Sequence, residues 1–316
     1  MNFLDIGRSA KSFAVFVLIA CSLVVSCVVS GNAQQVSVPQ RADQTYIVQA
    51  GDSLEQIAAR FYGDRSAAPA ILLATNAAAG ADGIDYIQNP DNLKTGQKLL
   101  IPPADEAKQL NVESETYSKG VSRASLPRQR DVSPVLVTVP AEAKSVVVAT
   151  WTRAGKFQLD SRTATSDIWV TIVPNVRTFC RVVQDRNNLT LRLEQRLGLP
   201  PRNGKAEFVE LVISDPDKNL FRPCPDFNIH RNGCTVGFSG GYPPDVDHLT
   251  PRQVWFLSQY YQSYALARPQ QYPWTALGYT YDWGSEDHVG ESEFVIPKGS
   301  PIKVKSIAKT EDYCRP

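Results

Sequence analysis

The segment that most constrains this chain is its amino terminus, because it sets the redox state of every cysteine downstream. Arg8 and Lys11 precede an apolar run from Phe13 to Val29, and the chain turns polar at Ser30-Gly31-Asn32-Ala33-Gln34-Gln35. A basic stretch, an apolar stretch and small residues at the exit are the layout of an export signal, here residues 1–33 with Gly31 and Ala33 in the small-residue positions. The same run also has the length of a membrane anchor, since about 17–25 residues span a bilayer. Either route attaches or delivers the rest of the chain outside the cytoplasm.

A third route leads to the same side. Leu18-Ile19-Ala20-Cys21 and Val24-Val25-Ser26-Cys27 each resemble a bacterial lipobox, whose cysteine carries lipid. If residues 1–33 leave by cleavage, Cys180, Cys224, Cys234 and Cys314 remain, an even number in an oxidising compartment. Four cysteines allow three pairings. The short loop rich in Pro, Asp, Asn and Gly between 224 and 234 can bring its ends together, which favours Cys224–Cys234 with Cys180–Cys314. At about 100–200 residues per domain, 316 residues suggest two domains. The 33 basic side chains nearly cancel the 32 acidic ones, and loss of residues 1–33 removes Asp5, Arg8 and Lys11, which leaves no net charge. Nucleic acid is excluded as a partner on that balance, because its affinity rests on neutralised phosphates.

Residues 44–103 carry the clearest local pattern. Tyr46 and Val48 suggest a short strand ended by Gly51, after which Leu54, Ile57, Ala58 and Phe61 share one helix face. Ser53 with Gln56 three residues on resembles a capping box, and Asp52 adds negative charge at the helix start. A second helix begins near Pro69 and runs to about Ala79, and Leu99 and Ile101 alternate in a closing strand before Pro102-Pro103. The expected order is βααβ.

The blocks Tyr46-Ile47-Val48-Gln49-Ala50-Gly51-Asp52-Ser53-Leu54, Ile57-Ala58, Tyr62-Gly63-Asp64, Asn76 and Asn92-Leu93-Lys94-Thr95-Gly96-Gln97-Lys98-Leu99-Leu100-Ile101-Pro102 look like a LysM domain. The resemblance implies a βααβ module that binds glycans containing N-acetylglucosamine, most often peptidoglycan and sometimes chitin. It places the sugar in a shallow groove between two loops. By position these are Gly51, Asp52, Ser53 and Leu54 on one side, and Asn92, Leu93, Lys94, Thr95 and Gly96 on the other. The stretch from Gly80 to Pro90 lengthens the second connection and looks like a longer subtype, some members of which have other roles. Gly51 and Asp52 also suit a plain turn and cap.

Residues 104–143 mix Asp, Glu, Lys, Ser, Gln and Pro without sustained periodicity and read as a flexible linker, with a basic stretch from Ser118 to Arg130. Residues 144–316 are long enough for a core of their own. Strands are expected at Val146–Thr150, Ile168–Val173, Phe208–Ile213, Thr275–Trp283, Glu293–Ile296 and Ile302–Ile307, and helices at about Asn188–Leu197 and from Pro251 toward Ala267. This mixture predicts an α+β domain. The chain as a whole is therefore expected to be multidomain, and its second half resembles no family of known function.

Chemistry in that half is sparse. Gly237-Phe238-Ser239-Gly240-Gly241 has the G-x-S-x-G pattern, but Tyr242-Pro243-Pro244 cannot start the helix that a nucleophile elbow needs. Zinc spacings are absent, and the loop opening at Asp215 has Leu220 where a calcium loop requires glycine. No cofactor or metal is expected. The densest polar cluster is Asp282, Glu286, Asp287, His288, Glu291 and Glu293, behind Tyr272, Trp274, Tyr279, Tyr281 and Trp283. Carboxylates beside aromatic rings suit a sugar cleft, while alternating aromatics on a strand also suit a core. The expectation is thus an exported envelope protein that binds peptidoglycan or a related glycan, with a second domain that binds and does not catalyse. The alternative is a wall hydrolase drawing its acid or base from Asp282, Glu286, Asp287 or Glu291.

Overall fold

A computed structural model describes residues 44–238, 246–264 and 271–316. The segment expected to direct export, with Cys21 and Cys27, and Ser239-Gly240-Gly241 of the glycine-rich motif lie outside the described residues. In chain order the first elements are β1 (Gln44–Ile47), α1 (Leu54–Tyr62), α2 (Ala68–Ala77), β2 (Lys98–Ile101) and α3 (Ala104–Ala124). There follow β3 (Ser145–Thr152), β4 (Ser161–Thr163), β5 (Ile168–Ile172), α4 (Asn175–Arg181), α5 (Leu189–Arg196), β6 (Glu207–Ser214) and α6 (Pro216–Asn219). The last are α7 (Pro251–Tyr264), β7 (Tyr279–Tyr281), β8 (Val289–Ile296), β9 (Pro301–Lys309) and α8 (Thr310–Tyr313).

The first four elements form the βααβ unit. Strands β1 and β2 pair antiparallel from Gln44 opposite Ile101 to Ile47 opposite Lys98. Ser53 caps α1 with the reciprocal Gln56 contact of a capping box, and Gly63 ends the helix at φ 72°, a left-handed conformation open to glycine without a Cβ clash. Leu54, Ile57, Ala58, Ile71, Leu99 and Ile101 pack together beneath the two strands.

Residues 104–124 are not a flexible linker. They form the 21-residue α3, whose buried positions are Ala107, Leu110, Glu113, Tyr117, Gly120, Val121 and Ala124. One end packs Ala107 and Leu110 on Ala70, Leu73 and Ala74 of α2, where Ala70 N also donates to Asn111 Oδ1 at 3.1 Å. The other end packs Tyr117, Val121 and Ala124 on Tyr281 and Trp283, with Tyr117 and Trp283 edge to face at 5.7 Å. Gly120 permits that approach, because a Cβ there would lie 3.1 Å from Tyr281 Cε1 and 3.2 Å from Trp283 Cβ. Arg153 of the β3–β4 loop also stacks over Tyr86, 4.0 Å from the ring centre.

The second half is α+β, built on a seven-stranded antiparallel sheet of order β4-β9-β6-β3-β5-β8-β7. Side chains alternate between its faces. Val148, Val170, Leu211, Phe294 and Ile296 occupy one face and form the main core with Val139, Leu220 and Ile229. Ala149, Trp151 and Phe208 occupy the other and pack on α4, α5 and α8 through Val176, Leu189, Leu193 and Tyr313. Disulfides join Cys180 to Cys314 and Cys224 to Cys234. The first ties α4 to the end of the chain, and the second closes the loop beside Leu136 and Leu277. The strand expected over Thr275–Trp283 is shorter, Tyr279–Tyr281, because Ala276 at φ 55° and Gly278 at φ 78° turn the backbone just before it.

Candidate functional site

The two candidate glycan loops lie at one end of the β1–β2 ladder. Beyond Ile47 the pairing continues by Val48 N to Gln97 O and Gly96 N to Val48 O, both 2.9 Å, so residues 49–53 and 92–96 emerge side by side. Gly51 at φ 84° and Gly96 at φ 85° make the two sharp turns. Asp52 is committed to its own loop: it accepts from Tyr46 OH at 2.6 Å and Gln49 N at 2.8 Å, with Arg60 3.5 Å away. The Tyr46 contact, ahead of the Gln49 amide and Arg60, holds the Asp52 carboxyl below its usual range. Ser53 caps α1, and Leu54 is buried in the core. Asn92, Lys94, Thr95 and Gly96 are exposed, and Leu93 is half-buried against the core. The first loop is thus a braced wall, and the free polar side chains stand on the second.

The carboxylates of the C-terminal cluster are separated by burial and by partners. Asp282 is fully buried and gripped bidentately by Arg192 at 2.9 and 2.7 Å, with Arg196 3.7 Å away. Glu291 accepts from Arg196 Nε at 2.8 Å. Both guanidiniums come from α5, so these acids pin that helix to β8 and the turn before it. Glu286 and Asp287 are exposed, and Asp287 is held below the usual range chiefly by the Ser285 hydroxyl, which donates at 2.8 Å. His288 stacks on Tyr281 with ring centres 4.8 Å apart. Tyr279, Tyr281 and Trp283 are core residues, no more than 6% exposed.

Glu293 differs from its neighbours. It lines a cavity of about 480 Å³ on the second face of the sheet, Oε2 has no hydrogen-bond partner, and burial pushes its carboxyl up to about 8. The sequence placed Glu293 in the cluster without singling it out. Its distinction comes from the sheet register, which sets it opposite Thr171.

The remaining nucleophile and metal candidates have structural tasks. Cys180 is in a disulfide with Cys314 and offers no free thiol. His230 bridges Val139 O and Asp217 Oδ1, each at 2.7 Å, and the Val139 carbonyl, ahead of Asp217, raises its pKa. Asp217 belongs to the loop that opens like a calcium site, and that loop folds into the single turn of α6. Among the described residues no helix is long and apolar enough to cross a membrane.

The βααβ module with its two adjacent turns packs, through α3, on the α+β half of the chain. Residues 46–76 match the family model of the LysM domain, and such a domain implies binding of glycans containing N-acetylglucosamine, peptidoglycan among them. No curated protein and no solved structure matches the chain.

Proposed function

We propose that this is an exported envelope protein that holds peptidoglycan, or another glycan containing N-acetylglucosamine, across the loops 51–54 and 92–96. The observation that carries the reading is the adjacency of those loops at one end of the β1–β2 ladder, the first of them within residues 46–76 that match the LysM model. The hydroxyl of Thr95 and the amide of Asn92 suit acetamido and hydroxyl groups, and no metal or strong charge is needed. The export segment and the two disulfides support an oxidising compartment. Signal cleavage after Ala33, lipidation or anchoring remain the three routes to it.

Of the four hydrolase candidates, Asp282 and Glu291 are paired with Arg192 and Arg196, which supports a binding role for the C-terminal domain. Replacing Asn92 and Thr95 together with alanine is expected to reduce sedimentation with insoluble peptidoglycan while the circular dichroism spectrum stays that of the parent. Unchanged sedimentation would refute the groove. A zymogram addresses the hydrolase alternative: wall clearing that disappears on replacing Glu286, Asp287 or Glu291 would sink the binding-only role.

A further inference from the structure

The cavity on the second face of the sheet contains polar groups that the protein itself leaves without partners. Its walls come from β3, β5 and β8, the turn after α5, one side of α7 and Trp274. Glu293 Oε2, Thr171 Oγ1 and Trp274 Nε1 make no hydrogen bond, although Thr171 is only 6% exposed and Trp274 only 5%. Folded proteins leave few such groups, and three around one space point to an occupant. Lys205 lines the same cavity, and its ammonium donates to Trp151 O at 2.8 Å. The charges that bear on it are those of Lys156 and Arg153, both positive, and no carboxylate pairs with it among the described residues.

The sheet holds the acidic and basic ends apart. Glu293 stands on β8 opposite Thr171 on β5, and Lys205 reaches Trp151 on β3, the next strand over. Two strand spacings at about 4.8 Å separate β8 from β3 by about 10 Å, and no ion pair joins Glu293 to Lys205 among the described residues. A neutral sugar offers neither end a partner of opposite charge, and a simple anion offers one only to the Lys205 end. A ligand with a cation at one end and an anion at the other satisfies both. Between them, the Trp169 and Trp274 rings offer apolar surface and faces that attract a cation. An extended tripeptide spans about 10 Å.

We propose that this cavity binds a short peptide with free ends, its ammonium at Glu293, its carboxylate at Lys205 and Lys156, and a peptide carbonyl accepting from Trp274 Nε1. The assignment rests on the wall-associated reading only for the choice of one probe, the peptidoglycan stem tripeptide. The second probe, trialanine, tests the charge geometry alone.

The experiment is titration calorimetry on the full chain with each tripeptide, with end-blocked N-acetyl-trialanine amide, and with the N-acetylglucosamine tetramer. Saturable binding of at least one free-ended tripeptide is expected, together with no binding of the blocked one. E293Q and K205M should each weaken that binding at least tenfold, and the paired Asn92 and Thr95 replacements should leave it unchanged. W274F keeps an aromatic ring, smaller than the indole, and removes the N–H, and is expected to weaken binding several-fold. Absence of binding by both free-ended tripeptides, equal binding of the blocked peptide, or indifference to E293Q and K205M would each overturn the proposal. The sugar tetramer reports separately on the loops 51–54 and 92–96, so failure of one site does not mimic failure of the other.

Discussion

Glu293 offers a quantitative test of how the second half of this protein is built. A carboxyl pushed up to about 8 in the folded chain, from an ordinary 4.5 in the unfolded one, opposes folding wherever the unfolded chain ionises first. The sign follows from proton counts: between pH 4.5 and 8 the folded state binds more protons, so stability falls as pH rises through that window. At about 1.4 kcal/mol per pH unit, the ligand-free protein loses about 3 kcal/mol through this group between pH 4 and pH 7. Glu293→Gln preserves the shape and removes the titration. Urea unfolding of both proteins at several pH values isolates the effect, because every other titrating group is common to the two. With a slope of about 3 kcal/mol per molar, the midpoint of the variant should move upward relative to the parent by about 1 M urea from pH 4 to pH 7. A gap between midpoints that stays constant over that range would refute the assignment of Glu293 as a buried, unpaired acid.

Other substitutions probe the supports of the two halves. Removing Cys180–Cys314, which closes a separation of 134 residues, should cost about 5 kcal/mol on the chain-entropy estimate, against about 3 kcal/mol for Cys224–Cys234 with a separation of 10. Thermal melts of the paired alanine variants should keep that order, and the reverse order would contradict it. Gly120→Val should overpack the α3 contact with Tyr281 and Trp283, lowering stability by about 1–3 kcal/mol and shifting tryptophan emission to the red as Trp283 gains water. An unshifted spectrum would mean that the helix is not held there. Asp282→Asn strands Arg192, while Arg196 keeps Glu291, and should cost about 3 kcal/mol in a denaturant titration, the low end for a buried pair because the Arg192 guanidinium is partly open to water. A loss below about 0.5 kcal/mol would show that the pair is not a brace.

The parts of the fold that rest on short-range pattern were readable, and those that rest on long-range register were not. The first helix declared itself through Leu54, Ile57, Ala58 and Phe61 and the Ser53–Gln56 cap, and all four segments of the βααβ unit fall where expected. The cysteine pairing followed from parity and a short loop. Helix α3 was hidden although its buried stripe has helical spacing, because Glu113 and Gly120 occupy two of its seven positions and alanines two more. Those residues suit the surfaces they meet: Glu113 lies 3.5 Å from Arg202, and Gly120 lies against aromatic rings. Short elements such as β4 and α8 carry too few residues to show a period. The cavity was hidden for a different reason. Thr171 and Glu293 meet only through the pairing of β5 with β8, and nothing local to either residue signals the other.

Helix α3 also alters what the two halves can do together. At 1.5 Å per residue its 21 residues form a strut of about 30 Å, gripped by α2 at one end and by Tyr281 and Trp283 at the other. A floppy tether would let the sheet domain sweep a volume around any polymer held by the first module. A strut instead fixes one height and one heading of the sheet domain relative to the first module.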